Sequence, residues 1–254
     1  MRAVRSVINA AGQLKASDPD MNEDQLLLRA LRDVNVPKFL KDDLPLFENI
    51  ICDIFPGLER PKVNYGNLND AILKSCQKMN FQPTPVFLQK IYELFDTIKV
   101  RHGLMLVGPT GGGKSCNWKV LQAAISHLAA TEPNSTYTKV ITHVLNPKSI
   151  RMGQLYGEFN DSTREWTDGV LAYMVREAVK DLSGEKHWIL FDGPVDAIWI
   201  ESMNTVLDDN KKLCLLSGQI LSLTPYMTMM FEVEDLAVAS PATVSRCGMV
   251  YMEP

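Results

Sequence analysis

No apolar run in this chain approaches the roughly 20 residues that a helix needs to cross a bilayer, so nothing in it calls for a membrane partner. Cysteine is scarce and unpaired: Cys52, Cys76, Cys116, Cys214 and Cys247 are scattered and odd in number. Neither a disulfide framework nor a zinc site fits that pattern, which suits reduced thiols in the cytoplasm. His102, His127, His143 and His187 form no short metal-ligand spacing, so core or surface positions are expected for them. Excess positive charge is also missing. The net charge of -4 gives no global attraction to nucleic acid or anionic lipid, and no basic-aromatic interleaving supplies a local one, so no nucleic-acid partner is expected. The chain has no internal repeat, no low-complexity tract and no long heptad run to encode a coiled-coil stalk.

What remains is an ordinary globular composition, 46% hydrophobic and 22% charged, long enough for one large domain or a large and a small one. Residues 1–60 read as helices. Val4, Val7, Ile8, Ala11 and Leu14 recur at helical spacing within Met1–Lys15. Such an Arg-bearing amphipathic start also suits a mitochondrial transit peptide. Acidic Asp18, Asp20, Glu23 and Asp24 follow closely, however, and no cleavage-like region intervenes, so a helix of a folded domain is the preferred reading. Asn22, with Gln25 three residues on, marks the start of a helix carrying Leu26, Leu27, Leu28, Leu31 and Val34. Pro37 opens a short helix, Leu44–Ile54 forms another, and Pro56-Gly57 ends it.

Residues 60–66 read as a linker, followed by helices at Leu68–Met79 and Pro85–Val100. From Gly103 the pattern changes. Strands at Leu104–Val107, Thr138–Leu145, Trp188–Phe191, Thr228–Val233 and Met249–Tyr251 alternate with helices at Lys114–Ala130, Gly169–Leu182 and Ala197–Leu207. That alternation predicts an α/β fold, a three-layer parallel sheet with helices on both faces.

The chemistry concentrates after the first strand. Gly108-Pro109-Thr110-Gly111-Gly112-Gly113-Lys114-Ser115 matches the P-loop pattern G-x-x-x-x-G-K-[ST]. Glycines let backbone N–H groups converge on phosphate oxygens, and the following helix adds its N-terminal dipole. Lys114 would reach the β- and γ-phosphates, and the Ser115 hydroxyl would be a magnesium ligand. A second carboxylate for the metal is Asp192, at the end of the apolar run His187–Phe191. ATP with magnesium is therefore the expected ligand. The position after Asp192 is Gly193, where many ATPases carry the glutamate that polarises water; Asp196 and Glu201 would need a different backbone path to reach it.

Further stretches resemble the AAA+ motor ring of dynein heavy chains. They are Arg101-His102-Gly103, Leu145-Asn146-Pro147-Lys148, Leu155-Tyr156-Gly157, Arg164-Glu165-Trp166-Thr167-Asp168-Gly169, Phe191-Asp192-Gly193, Val206-Leu207-Asp208-Asp209-Asn210-Lys211 and Ser240–Met249. Together they look like the second of six ring modules, of an axonemal inner-arm type, and Leu28–Leu46 resembles the helical lid that ends the first. The resemblance implies three parts: residues 1–60 as the lid of the preceding module, 61–100 as linker and leading helices, and 101–254 as the large nucleotide-binding subdomain. It implies that the chain stops at Pro254 before its own lid, which predicts weaker nucleotide affinity than in a whole ring. The neighbouring AAA+ modules are implied as partners. Microtubules and dynein intermediate or light chains would bind elsewhere in the full motor, in the cytoskeleton of a ciliary or flagellar axoneme.

By the same resemblance Arg246 matches an arginine finger acting on the preceding module, and Arg2 a lid arginine reaching the same nucleotide. Glu232 stands where AAA+ proteins usually carry a neutral polar residue, and its charge would repel a γ-phosphate unless a cation intervened. Gly193 and Glu232 together predict a module that holds ATP without efficient hydrolysis and serves as a finger donor. The alternatives are a self-contained, hydrolytically active P-loop ATPase using Glu232 or Asp196 as base, and an interaction module whose P-loop is vestigial.

Overall fold

Apolar residues at helical spacing make the start of the chain a helical group. In the computed structural model, which describes residues 2–17, 19–36, 39, 42–58, 65–132, 136–208 and 210–252, this group is α1 (Arg2–Ser17), α2 (Glu23–Asn35) and α3 (Leu44–Ile54). Asn22 caps α2: its side-chain oxygen accepts the Asp24 amide at 2.8 Å and its carbonyl the Leu26 amide at 2.9 Å. Ala10, Ala30 and Val34 form a small core where α1 meets α2. Gly57, at φ +75°, ends the turn after α3 in the left-handed region open to glycine. The expected helix start at Pro37 and residues 60–64 of the expected linker lie outside the described residues.

Next come α4 (Asn67–Lys78) and α5 (Pro85–Val100), the latter capped by the Thr84 hydroxyl accepting the Phe87 amide at 3.3 Å. The α/β body follows in the order β1 (Gly103–Val107), α6 (Lys114–Thr131), β2 (Val140–Leu145), α7 (Met152–Tyr156), β3 (Gly157–Phe159), β4 (Trp166–Asp168), α8 (Val170–Lys180) and β5 (Lys186–Asp192). It continues with α9 (Ala197–Glu201), α10 (Asn204–Leu207), β6 (Lys212–Cys214), β7 (Ile220–Ser222), β8 (Met227–Val233), α11 (Pro241–Val244) and β9 (Gly248–Tyr251). The main sheet has the order β2-β5-β8-β1-β9, and every neighbouring pair is parallel.

Alternation along the strands splits the core in two. Met105, Ile189, Phe191, Met229 and Phe231 face α8, α9 and α10, with Phe191 and Phe231 stacked at 4.7 Å between ring centroids. Leu104, Leu106, Trp188, Leu190 and Met230 face α4, α5 and α6. These are the three layers the sequence predicts. Each of the five expected strands is present.

The expected Ala197–Leu207 helix is instead two short ones. The Met203 amide turns back to the Ile200 carbonyl at 3.0 Å, and this tight turn lets Ile200, Met203, Val206 and Leu207 all reach one core. The β3–β4 and β6–β7 ribbons are additions; at three paired positions each, they are too short for alternation to announce them.

Where α2 meets α5, a half-buried carboxyl group, Asp33, lies close to a buried one, Asp96. Burial pushes Asp33 up to about 6; repulsion from Asp96 adds to this, while Arg29 and Lys99 oppose it. Burial also raises Asp96, opposed chiefly by the Tyr65 hydroxyl that donates to it at 2.6 Å. A carboxyl with a raised folded pKa binds its proton more tightly when folded. Its ionisation therefore costs stability above pH 6, and that cost disappears as pH falls through 6 toward the unfolded value near 4. Asp33→Asn is expected to stabilise the chain at pH 7 by about 1–2 kcal/mol and by less at pH 5. Thermal melts of the variant beside the parent at both pH values check this; equal melting temperatures at pH 7 would refute it.

Candidate nucleotide-binding site

The loop after β1 is shaped by what glycine allows. The Gly108 amide donates to the Val233 carbonyl at 3.1 Å, and the Met252 amide donates to the Val107 carbonyl at 2.7 Å, so both neighbouring strands grip the loop entrance. A Cβ on Gly108 would collide with the Met252 carbonyl oxygen, which is backbone and cannot swing aside. Gly108→Ala should therefore destabilise the fold by about 1–3 kcal/mol. Urea unfolding would read this as a lower midpoint, and an unchanged midpoint would contradict the collision. Pro109 and Thr110 form the exposed side of the turn that the Gly112 amide closes onto the Pro109 carbonyl at 3.0 Å. Gly111 and Gly113 sit at φ +85° and +83°, conformations that a side chain would strain.

α6 then begins with no side-chain cap. Among the described residues the amides of Gly111, Gly113, Lys114 and Ser115 meet no backbone acceptor, so they remain available to an anion at the helix N-terminus. The Lys114 ammonium lies across the loop, donating to the Gly108 carbonyl at 2.5 Å and the Pro109 carbonyl at 2.9 Å.

Glu232 completes the arrangement. It stands one residue before the end of β8, paired in register with Leu106 on one side and Asp192 on the other. In-register residues of parallel strands share a sheet face, so Asp192 and Glu232 both lie on the α6 side. Glu232 is 5% exposed, and its two oxygens are held separately. Ser115 Oγ donates to Oε2 at 2.5 Å, and Trp118 Nε1 donates to Oε1 at 2.6 Å. Asp192 is exposed, and its side chain makes no hydrogen bond or ion pair among the described residues.

A hydroxyl and two carboxylates, all hard oxygen donors, thus surround the loop's mouth, which fits magnesium held through Ser115 and Asp192. Among the described residues no group of three or more His, Cys, Asp or Glu side chains makes a metal cluster, so the fit is of the P-loop kind.

The structure separates the other sequence-level candidates. A Cβ on Gly193 would lie 2.9 Å from Asn146 Oδ1, and its amide donates to the Glu232 carbonyl at 3.4 Å, so the chain still runs beside β8 there but offers the site no side chain. Asp196 sits 4.0 Å from the Lys148 ammonium, and Glu201 is exposed on α9. Arg246 precedes β9, whose Gly248 pairs with Leu104, whereas the P-loop follows Val107 at the other end of β1. Its guanidinium donates to Asp208 at 2.7 Å and to the Ala242 carbonyl at 2.7 Å, bordering a cavity of about 490 Å³ shared with Arg5, Arg101 and His102. Arg246 therefore does not reach this chain's own P-loop. The Arg2 side chain lies outside the described residues. Sequence reasoning passes over Trp118; the only signal was its position three residues after Ser115, one helical turn along the P-loop helix.

Two family models match the chain. Residues 1–115 match one described as the hydrolytic ATP binding site of dynein motor region, and residues 103–247 match the AAA domain of the dynein-related subfamily. The chain is 59% identical to dynein axonemal heavy chain 1 of Mus musculus over 256 residues, covering 100% of this chain and 6% of that protein. It is 54% identical to dynein axonemal heavy chain 6 of Homo sapiens over 255 residues, again 100% of this chain and 6% of the relative. Dynein axonemal heavy chain 12 of Mus musculus is 49% identical over 254 residues, with 100% of this chain and 8% of the relative covered. The chain thus spans about 6% of the length of the first two relatives. Overlapping matches in one chain set this module beside another AAA+ module of the same heavy chain, and ATP with magnesium is the ligand of this domain class.

These findings correct one expectation. A module that holds ATP without efficient hydrolysis and serves as a finger donor is contradicted by the hydrolytic site description that runs from residue 1 through the P-loop to residue 115. The physical fault lay in weighting the repulsion from Glu232 above its alternative reading as a base. With Ser115 and Trp118 donating to its two oxygens, its charge is partly offset, and a carboxylate stands beside the loop even though Gly193 supplies none. With the fold, the P-loop and these matches in agreement, the chain belongs to the dynein-related AAA+ family, as an ATP-binding module of the axonemal dynein heavy-chain motor ring.

Proposed function

We propose that this chain binds and hydrolyses ATP as one module of an axonemal dynein heavy chain. The observation that carries the reading is the convergence of Lys114, Ser115, Asp192 and Glu232 at the mouth of one glycine-rich loop. Gly108 to Ser115 cradle the phosphates with their amides, and Lys114 moves from the loop carbonyls to the β- and γ-phosphate oxygens. Ser115 and Asp192 would hold magnesium, whose chemistry when bound is to neutralise phosphate charge. Glu232 accepts a proton from the attacking water as its oxygen bonds to the γ-phosphorus and the bond to the β-phosphate oxygen breaks, releasing ADP and phosphate.

In this reading residues 1–60 are the helical lid of the preceding module, 61–100 linker and leading helices, and 101–254 the nucleotide-binding subdomain. The whole heavy chain would be an ATP-driven, minus-end-directed microtubule motor of the ciliary or flagellar axoneme. Microtubules and intermediate or light chains would engage parts of it beyond this segment.

The test is to load the purified chain with ATP and magnesium, remove the excess and follow bound nucleotide by chromatography, with Lys114→Ala as the blank. Conversion of bound ATP to ADP supports the reading. ATP that persists unchanged for hours, or no retained nucleotide, defeats it.

A further inference from the structure

We propose that the cavity between α2 and α5 is a binding site for a small organic cation, an ammonium group on an apolar stem. The cavity measures about 410 Å³, a volume in the range of small-molecule sites. One wall is a single face of α5, where Pro85, Leu88, Tyr92 and Asp96 recur at helical spacing along about 16 Å of helix. The other wall comes from α2, through Arg32, Asp33 and Val36. Tyr65 joins the lining, its ring stacked on Tyr92 at 4.2 Å between centroids. The first turn of the α5 face is apolar, with Pro85 and Leu88, and its last is acidic, with Glu93 and Asp96. A ligand that matches both has an apolar end and a cationic end.

Charge in the lining is not balanced. Arg32 is already held by both Glu48 oxygens, at 2.5 and 2.6 Å. Glu93 is occupied as well, by Lys90 and Gln89, each at 2.8 Å. Asp33 and Asp96 are less well served. Among the described residues Asp33 accepts no well-formed hydrogen bond, since Arg29 Nε stands 3.5 Å off and is itself left without a partner. Asp96 accepts only the Tyr65 hydroxyl, and the Lys99 ammonium is 3.8 Å away. Burial raises both carboxyl groups, so neither is fully compensated by its neighbours. An ammonium brings three donors and a positive charge to these oxygens, and its stem lies along Leu88 and the tyrosine rings. The Asp33 charge costs the fold stability, so binding explains its place better than packing does. Because the walls belong to α2 and α5, the bound cation ties the N-terminal helical group to the α/β body.

The test is calorimetric titration of the intact chain at pH 7 with n-hexylammonium, and with methylammonium and 1-hexanol as its two halves. Hexylammonium is expected to saturate one site about tenfold or more tighter than either half, because only it supplies both the charge and the buried stem. Asp33→Asn, expected to be the more stable chain, should weaken this binding about tenfold, so misfolding cannot imitate the result. Leu88→Ala should weaken it about fivefold through the lost contact with the stem. Capped lysine, N-acetyl-lysine methylamide, separates the sources of the ammonium. If it binds as tightly as hexylammonium or tighter, the occupant is a lysine side chain; if it binds more weakly, the occupant is a free amine. No saturable binding of either amine, 1-hexanol bound as tightly as hexylammonium, or an unchanged affinity in Asp33→Asn would each overturn the proposal.

Discussion

Lys114→Ala is expected to weaken ATP binding at least a hundredfold, read by calorimetry or by loss of nucleotide on desalting. The ammonium already satisfies two loop carbonyls at 2.5 and 2.9 Å, so its stem is long enough to cross the loop and to turn its charge toward phosphates held there. Charge-assisted hydrogen bonds contribute about 1.5–3 kcal/mol each, and losing two amounts to a factor of about 10² to 10⁴ in affinity. Stability should barely change, because the side chain is partly exposed and lies outside the core. ATP affinity within a few-fold of the parent would mean that the loop amides alone hold the nucleotide, and Lys114 would lose its assigned part.

Glu232→Gln should leave ATP bound but slow its hydrolysis by about 10² to 10⁴, the usual contribution of a positioned base. The substitution is nearly isosteric. Its amide oxygen can still accept one of the two bonds that Ser115 and Trp118 donate, at 2.5 and 2.6 Å, so packing against α6 is preserved while proton-accepting power is removed. Single-turnover conversion of bound ATP separates this from weaker binding. Turnover within threefold of the parent would eliminate Glu232 as the base and move attention to Asp196, which meets Lys148 at 4.0 Å.

The P-loop was legible because its chemistry is local. Gly111, Gly113, Lys114 and Ser115 are consecutive in effect, and the left-handed angles at the two glycines follow from their lack of Cβ. Asp192 was legible as the polar end of a buried apolar strand. The split between α9 and α10 was not, since the turn at Met203 exists to deliver several side chains to a core whose other walls come from distant residues. Glu232 was noticed but misjudged. Its charge was visible, whereas the two donors that offset it, Ser115 and Trp118, are more than a hundred positions away in the chain, and only sheet register brings them within reach.

By itself, then, the sequence determined the alternation of strands and helices, the phosphate loop and its ligand class, and the family whose motifs fill residues 101–249. These are properties of neighbouring residues: periodicity, glycine conformations and spacing. Only the tertiary structure decided which carboxylate meets the loop, because parallel pairing of β8 with β1 and β5 sets Glu232 beside Leu106 and Asp192. The same register leaves Arg246 at the far end of β9, held by Asp208. Hydrogen bonds act over about 3 Å, and no pattern along a chain can state which distant residues will come that close.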